Sequence, residues 1–364
     1  MKEQTIRFTA AGGRRIAWAS SGSGSPLVFS GWWGSHLELN WRQPRFRAWV
    51  EALGRNRTVI RYDLPGTGLS VDATDDTLPG ASLDEEAAAL AAVVDAAGAG
   101  PVDLFAGSSG VPVGVAFAVA HPDRVRRLSF YGGYADGAAI ADERSRQAIV
   151  SLVREHWGLG SRALADVFIP SATAQEREEF VEFQRQAASA ERAAASLEAI
   201  YRFDVTDRLG QVASGATVLH RRHDRAIPFE LGRELAAGLP DATFVALEGD
   251  DHFPWFGDPG PLLDASLAAL GVAKGAVSPP RREHEAPRPA ADGAAADSAD
   301  RGELTKREAE VLTLIAAGLS DREIADRLVL SPHTVHRHVA NVRTKLGLPT
   351  RAAAVAAATK RGLL

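Results

Sequence analysis

Ser108, Asp224 and His252 lie far apart along this chain of 364 residues, yet their types and local settings fit one chemistry, acyl transfer through an activated serine. Ser108 stands in Gly107-Ser108-Ser109-Gly110, after the apolar run Val102–Ala106 and before the helical pattern Ser109–His121. A strand, a sharp turn and a helix with serine at the apex form a nucleophile elbow, whose strained backbone demands small residues two positions before and two after. Ala106 and Gly110 meet that demand for Ser108; for Ser109 the second would be the branched Val111, which fits poorly. Asp224 falls in a turn after a strand ending at His220, and His252 follows the strand Thr243–Leu247. Serine needs a base to take its proton, and imidazole needs a carboxylate to fix its tautomer and stabilise its cation. Taken singly, Asp224 reads as a turn former and His252 as a helix-start residue. In the order Ser, Asp, His, after the right strands, they read as a triad.

The elements that must position these groups alternate. Short strand-like runs occur at Thr5–Ala10, Arg15–Ser20, Leu27–Ser30, Thr58–Asp63, Val102–Ala106, Val125–Tyr131, Thr217–His220 and Thr243–Leu247, with helical patterns at Leu83–Ala97, Ser109–His121 and Phe229–Gly238. That rhythm predicts an α/β fold, a doubly wound, mostly parallel sheet flanked by helices. From about 134 to 210 it gives way to a charged, helix-prone insertion, expected to form a lid over the sheet, with a helical surface decoration as the alternative.

Here the body resembles the α/β-hydrolases over residues 26 to 272. His121-Pro122-Asp123-Arg124-Val125 stands where that family commonly carries His-Pro-Glu-Arg-Val, and Asp63-Leu64-Pro65-Gly66-Thr67-Gly68-Leu69-Ser70 resembles its Asp-x-Pro-Gly-x-Gly-x-Ser loop. The resemblance implies an oxyanion hole from the backbone N–H groups of Ser109 and of Trp32, with Trp33 as the alternative to the latter; such donors lower the barrier by several kcal/mol. The family's usual His-Gly before that loop is Ser30-Gly31 here, and the first glycine of its elbow is Ala106. A serine nucleophile implies ester, thioester, lactone or amide hydrolysis rather than epoxide or haloalkane chemistry. Trp32, Trp33 and Trp255 fall near the expected mouth, where an aromatic wall for an apolar ligand and ordinary core packing are both open.

Composition narrows the classes. Hydrophobic residues at 45% and charged residues at 24% are globular values. With no cysteine, thiolate zinc sites, iron–sulfur clusters and cysteine nucleophiles are excluded. Neither a secretory signal nor an apolar run long enough to span a bilayer is read, so a cytoplasmic protein without membrane association is expected. No cofactor and no metal are expected.

The net charge of −5 is uneven: Glu303–Leu364 holds ten basic and six acidic residues, leaving −9 on the remainder, and no acid follows Arg327. A basic tail on an acidic body points to a nucleic-acid partner. Capping boxes at Thr305–Glu308 and Ser320–Glu323, and Ser331-Pro332 as N-cap and first helical residue, predict three helix starts. Along the third helix Val335, Val339, Val342 and Leu346 make one apolar stripe, leaving His333, His336, Arg337, Asn341 and Lys345 on another face. This is a helix-turn-helix with its third helix directed to the major groove. Arg337 is the expected guanine reader and Asn341 an adenine or phosphate contact, with His336 on the same face. Thr334, Arg343, Lys345 and Arg351 are expected on phosphates. Leu304 to Leu364 resembles the LuxR-type module, through Leu304-Thr305-x-Arg307-Glu308-x-Glu310-Val311-Leu312, Gly318-Leu319-Ser320-x-Arg322-Glu323-Ile324-Ala325 and Thr334-Val335-x-x-His338-Val339. That resemblance implies dimerisation through the alanine-rich stretch Thr350 to Arg361.

The expected layout is a hydrolase-like body at 1–272, a Pro- and Ala-rich flexible linker at 273–302, and a small all-α DNA-binding domain at 303–364. The leading expectation is a homodimeric, DNA-binding transcription regulator whose body senses, and in one version hydrolyses, a small ester, lactone or amide. Its rivals are a serine hydrolase that uses DNA binding for localisation, and a pure receptor with a silent triad.

Overall fold

A computed structural model describes residues 4–71 and 82–272, and, nearer the C-terminus, residues 306–316, 319, 321–328, 334–335, 338–339 and 342. The chain divides into two compact units, residues 1–282 and 283–364.

The first unit is built on eight strands: β1 (Thr5–Ala11), β2 (Arg14–Gly22), β3 (Ser25–Gly31), β4 (Arg57–Tyr62), β5 (Val102–Gly107), β6 (Val125–Tyr131), β7 (Ala216–Arg221) and β8 (Ala242–Leu247). Their order across the sheet is β1-β2-β4-β3-β5-β6-β7-β8. The hairpin β1–β2 and the β2–β4 pair are antiparallel; every pairing from β4 to β8 is parallel. β5 is buried along its whole length, as expected for a strand covered on both faces.

Helices α1 (Leu37–Arg42) and α2 (Pro44–Leu53) follow β3, and α3 (Leu83–Ala96) and α4 (Gly110–Ala120) flank β5 in sequence. α3 starts at a full capping box between Ser82 and Glu85. Four helices fill the insertion: α5 (Glu143–Glu155), α6 (Trp157–Phe168), α7 (Ala174–Ala187) and α8 (Ala190–Arg202). Their apolar faces supply Leu164, Phe168, Phe180 and Phe183 to a core shared with Trp32, Trp33, Phe253 and Trp255. α9 (Phe229–Gly238) and α10 (Gly260–Ala269) complete the layers. The strands and the helices α3, α4 and α9 occur where the alternation of the sequence puts them; α1, α2 and α10 are additional.

In the second unit α11 (Lys306–Ala316) and α12 (Asp321–Leu328) are described, and residues 334–335, 338–339 and 342 are helical. Val311, Ile315, Ile324, Ala325, Val335 and Val339 form its core. Val342 is buried, so three of the four stripe positions face inward. Arg307 donates to the carbonyl of Leu328, tying the start of α11 to the end of α12. Thr334 is half-buried in helix, whereas His336, Arg337, Asn341, Arg343 and Lys345, together with the linker, lie outside the described residues.

Candidate active site

Ser108 joins β5 to α4 with a φ of 52°, a left-handed conformation that a non-glycine residue adopts only under constraint. Two backbone bonds supply it: the Ser108 N–H donates to the Tyr131 carbonyl at 2.9 Å, and the Val111 N–H to the Ser108 carbonyl at 3.0 Å. The demand for small neighbours has a direct physical cause. A Cβ on Gly110 would lie 2.4 Å from the Cα of Gly31, and one on Gly107 would lie 2.2 Å from the Trp32 indole. The elbow is therefore pressed against the end of β3.

Asp224 and His252 meet in the interior. The His252 Nδ1 and Asp224 Oδ2 are 2.8 Å apart, both side chains fully buried. The other carboxylate oxygen accepts the N–H groups of Ala226 (2.9 Å) and Ile227 (3.2 Å). Asp224 is thus a turn former and a histidine partner at once, one oxygen for each task. Burial opposes its ionisation, but the His252 imidazole, then His220 and the Ile227 amide, outweigh it and hold the carboxyl below its usual range. A carboxylate only accepts, so His252 donates from Nδ1, which in the neutral imidazole leaves the lone pair on Nε2. That Nε2 is buried and hydrogen-bonds to no protein group. A proton-accepting nitrogen held this way is what a general base requires.

The loop carrying His252 is held by charge. Arg221, at the end of β7 and buried, donates to the carbonyls of Asp251, Phe253, Phe256 and Asp258. The insertion grips the same loop: the His252 N–H donates to Phe168 at 2.8 Å, the imidazole stacks on the Phe168 ring at 5.6 Å, and Ser171 donates N–H and hydroxyl to the Asp251 carboxylate. Ser108 and His252 are both buried.

Trp32 has a φ of 64°, and its N–H points at the Gly107 carbonyl, a long contact of 3.4 Å. The left-handed turn after β3 sets that amide against the end of β5. Ser109 opens α4 beside Ser108, as expected. All three tryptophans are core residues. Trp32 packs on Phe105, Tyr131, Phe253 and Trp255, and Trp33 donates its indole N–H to the Ala193 carbonyl of α8.

Three contributors escaped sequence reasoning. His220 sits 3.8 Å from Asp224 with its Nε2 on the Ile227 carbonyl at 3.0 Å, so that nitrogen carries the proton; burial keeps the ring neutral. Arg221 is followed by Arg222 at the end of β7, and the first is buried while the second is exposed. Glu86 stands in the first turn of α3 with Asp84 and Glu85, yet it is buried. The basic pair and the acid carry no signal in the sequence that separates them from solvated charges. Among the described residues no cluster of His, Asp and Glu is arranged to hold a metal, and no helix is long and apolar enough to cross a membrane.

The model of the alpha/beta hydrolase family matches residues 27–265, which include the elbow, the acid and the histidine. The chain belongs to the alpha/beta hydrolase family. Residues 302–358 match a second family, the bacterial regulatory proteins of the luxR family, so this hydrolase-family chain carries a LuxR-type helix-turn-helix domain. Over 240 residues the chain is 27% identical to a protein of Azorhizobium caulinodans named as a carbamate hydrolase, RutD, covering 64% of this chain and 85% of the relative. Over 61 residues it is 48% identical to a Mycobacterium tuberculosis protein named as an HTH-type transcriptional regulator, Rv0890c, covering 17% of this chain. That match spans only 7% of the length of the regulator. A hydrolase from Pseudomonas aeruginosa has the same fold, with a TM-score of 0.64 at 21% identity, over 73% of this chain and 98% of the other.

Proposed function

We propose that this alpha/beta hydrolase is a DNA-binding transcription regulator whose body, residues 1–272, receives a small ester, lactone or amide and hydrolyses it through Ser108, His252 and Asp224. The reading rests on one observation, the buried His252–Asp224 pair at 2.8 Å in a chain that also presents a strained serine elbow. His252 Nε2 takes the proton as Ser108 Oγ attacks the ligand carbonyl, and Asp224 stabilises the imidazolium. The Ser109 amide receives the developing oxyanion. Breakdown of the tetrahedral species releases the alcohol or amine, protonated by His252, and leaves an acyl-serine; water activated by the same imidazole frees the acid. The helices of the insertion act as a lid, a role supported by their grip on the histidine loop.

The LuxR-type domain, 303–364, binds DNA as part of a homodimer, with Arg337 and Asn341 on bases, His336 on the same face, and Thr334, Arg343 and Lys345 on the backbone. The linker, 273–302, transmits ligand state through dimer geometry. A second reading, a hydrolase that uses the DNA-binding domain for localisation, is favoured by the 27% identity to the relative named for carbamate hydrolysis.

Intact-mass labelling of the full chain with a fluorophosphonate tests the chemistry. One adduct on the wild type and none on Ser108→Ala is the expected result. A folded wild type that takes no adduct, with the lid loosened by mild denaturant as well as without, overturns hydrolysis and leaves a receptor.

A further inference from the structure

Asp224 has a second histidine beside it. His220 of β7, four residues before the acid, is fully buried. Its Nε2 is 3.0 Å from the Ile227 carbonyl and 3.8 Å from Asp224 Oδ2, the oxygen that meets His252. The N–H of the same Ile227 donates to Asp224 Oδ1 at 3.2 Å. The turn 224–227 is thus fastened twice, by the acid from within and by His220 from the strand before it.

The ring that makes the second fastening is boxed in. Phe229 of α9 meets it edge-on at 5.8 Å, and a Cβ on Gly232 would lie 2.2 Å from its Nδ1. That Nδ1 is buried and has no hydrogen-bond partner. A protonated ring would need an acceptor there, so the neutral ring with its proton on Nε2 is the form that fits. Burial favours the same form.

We propose that His220 is a positioning residue of the triad: its Nε2–H pins the turn that carries Asp224, and from 3.8 Å it bears on the carboxylate oxygen that orients His252. The inference rests on the reading of Ser108, His252 and Asp224 as a triad. At 3.8 Å the approach to Oδ2 is too long for a hydrogen bond, so it acts as a dipole. The ring nitrogen nearer Oδ2 is the one that carries the proton, and a donor dipole there stabilises the negative charge. Without it, Asp224 would hold the His252 imidazolium more tightly, and the titration of His252 would move to higher pH. The other titratable groups at the pair are Tyr131 of β6, kept neutral by burial, and Arg221 and Asp251, which are bonded to the histidine loop and to Ser171. α9 meets the His220 ring with Phe229 and Gly232, which carry no charge.

The test is an NMR titration of the full chain, isotope-labelled at histidine Cε1, with the His252 signal assigned by its loss in His252→Gln. His220→Phe keeps a flat ring and removes the donor. His220→Gln puts an amide N–H where Nε2 was, whereas His220→Asn puts it near the position of Nδ1, out of reach of Ile227. The His252 midpoint is expected to rise by at least about 0.5 unit in His220→Phe and His220→Asn, and to stay within about 0.2 unit of wild type in His220→Gln. Fluorophosphonate labelling at pH 7 should slow by about tenfold in the first two and by less than about threefold in the third. If the phenylalanine variant does not fold, the glutamine and asparagine variants carry the comparison. A His252 midpoint that stays at the wild-type value without the donor, whatever the melting temperature, overturns the proposal. So does a glutamine variant that shifts as far as the asparagine one. The titration is read without labelling, so a wild type that takes no fluorophosphonate removes the hydrolase reading and still leaves the role of His220 decided.

Discussion

At the scale of single residues, the site depends on one carboxylate doing two things. Asp224 fixes its own turn with one oxygen and the His252 ring with the other. Asp224→Asn keeps the shape and the turn acceptor, but its amide can present a donor to Nδ1 and so favour the wrong imidazole tautomer. The rate of fluorophosphonate labelling at Ser108 is expected to fall by about 10²–10⁴-fold with little change in melting temperature. A labelling rate unchanged by the substitution would remove Asp224 from the mechanism. His220, 3.8 Å from the same oxygen but bonded to a carbonyl, cannot replace His252 in this geometry. Glu86 adds a pH dependence of the opposite sign to that of a salt-bridged acid. Its folded-state value of about 8 lies above the usual carboxyl range, so its stabilising share is present at acid pH and is lost as pH rises through 8. Glu86→Gln is therefore expected to melt higher than wild type at pH 9 and to lose that advantage at pH 5; the reverse order in a thermal-melt series would contradict the burial argument.

At the scale of elements, the histidine is held by what surrounds its loop. The guanidinium of Arg221 spans from the end of β7 to four carbonyls between Asp251 and Asp258, and α6 docks Phe168 against the imidazole. Arg221→Met preserves most of the volume and strands those carbonyls, at about 1–3 kcal/mol for each group left unpaired. Urea unfolding should show a loss of at least about 3 kcal/mol, and serine labelling should slow in the fraction that remains folded. Full labelling at wild-type stability would show that the loop holds itself. The insertion is fastened to the same loop through Ser171 and Asp251, which ties it to the candidate site. Uncovering a single buried Phe costs about 1.5–3 kcal/mol, which favours entry by a local shift over lifting all four helices.

At the scale of the molecule, two compact units share one chain, with the boundary between them at residues 282 and 283. Each has its own apolar core, so each is expected to fold by itself. A chain ending at Arg282 should melt cooperatively and take up fluorophosphonate at the wild-type rate while losing DNA binding. Aggregation of that truncation, or loss of its cooperative transition, would show that the units depend on one another.

The amino-acid sequence by itself determined the alternation of strands and helices, the elbow at Ser108, the order of acid and base, and the helix-turn-helix stripe. These are local signals: period, turn chemistry and caps lie within a few neighbouring residues. Val335, Val339 and Val342 face inward as their spacing dictates. The sequence also raised the two roles of Asp224 as alternatives, where the folded chain gives it both. Only the tertiary structure decided how the charges are used. Arg221, Glu86 and Arg222 are all ordinary charged residues at element ends, yet the first clamps four carbonyls, the second is buried beside the elbow, and the third pairs with Glu248 at the surface. Burial depends on what distant segments bring alongside a side chain, and no local period encodes that. The same holds for Trp32, whose left-handed backbone turns its N–H toward the Gly107 carbonyl of a neighbouring strand.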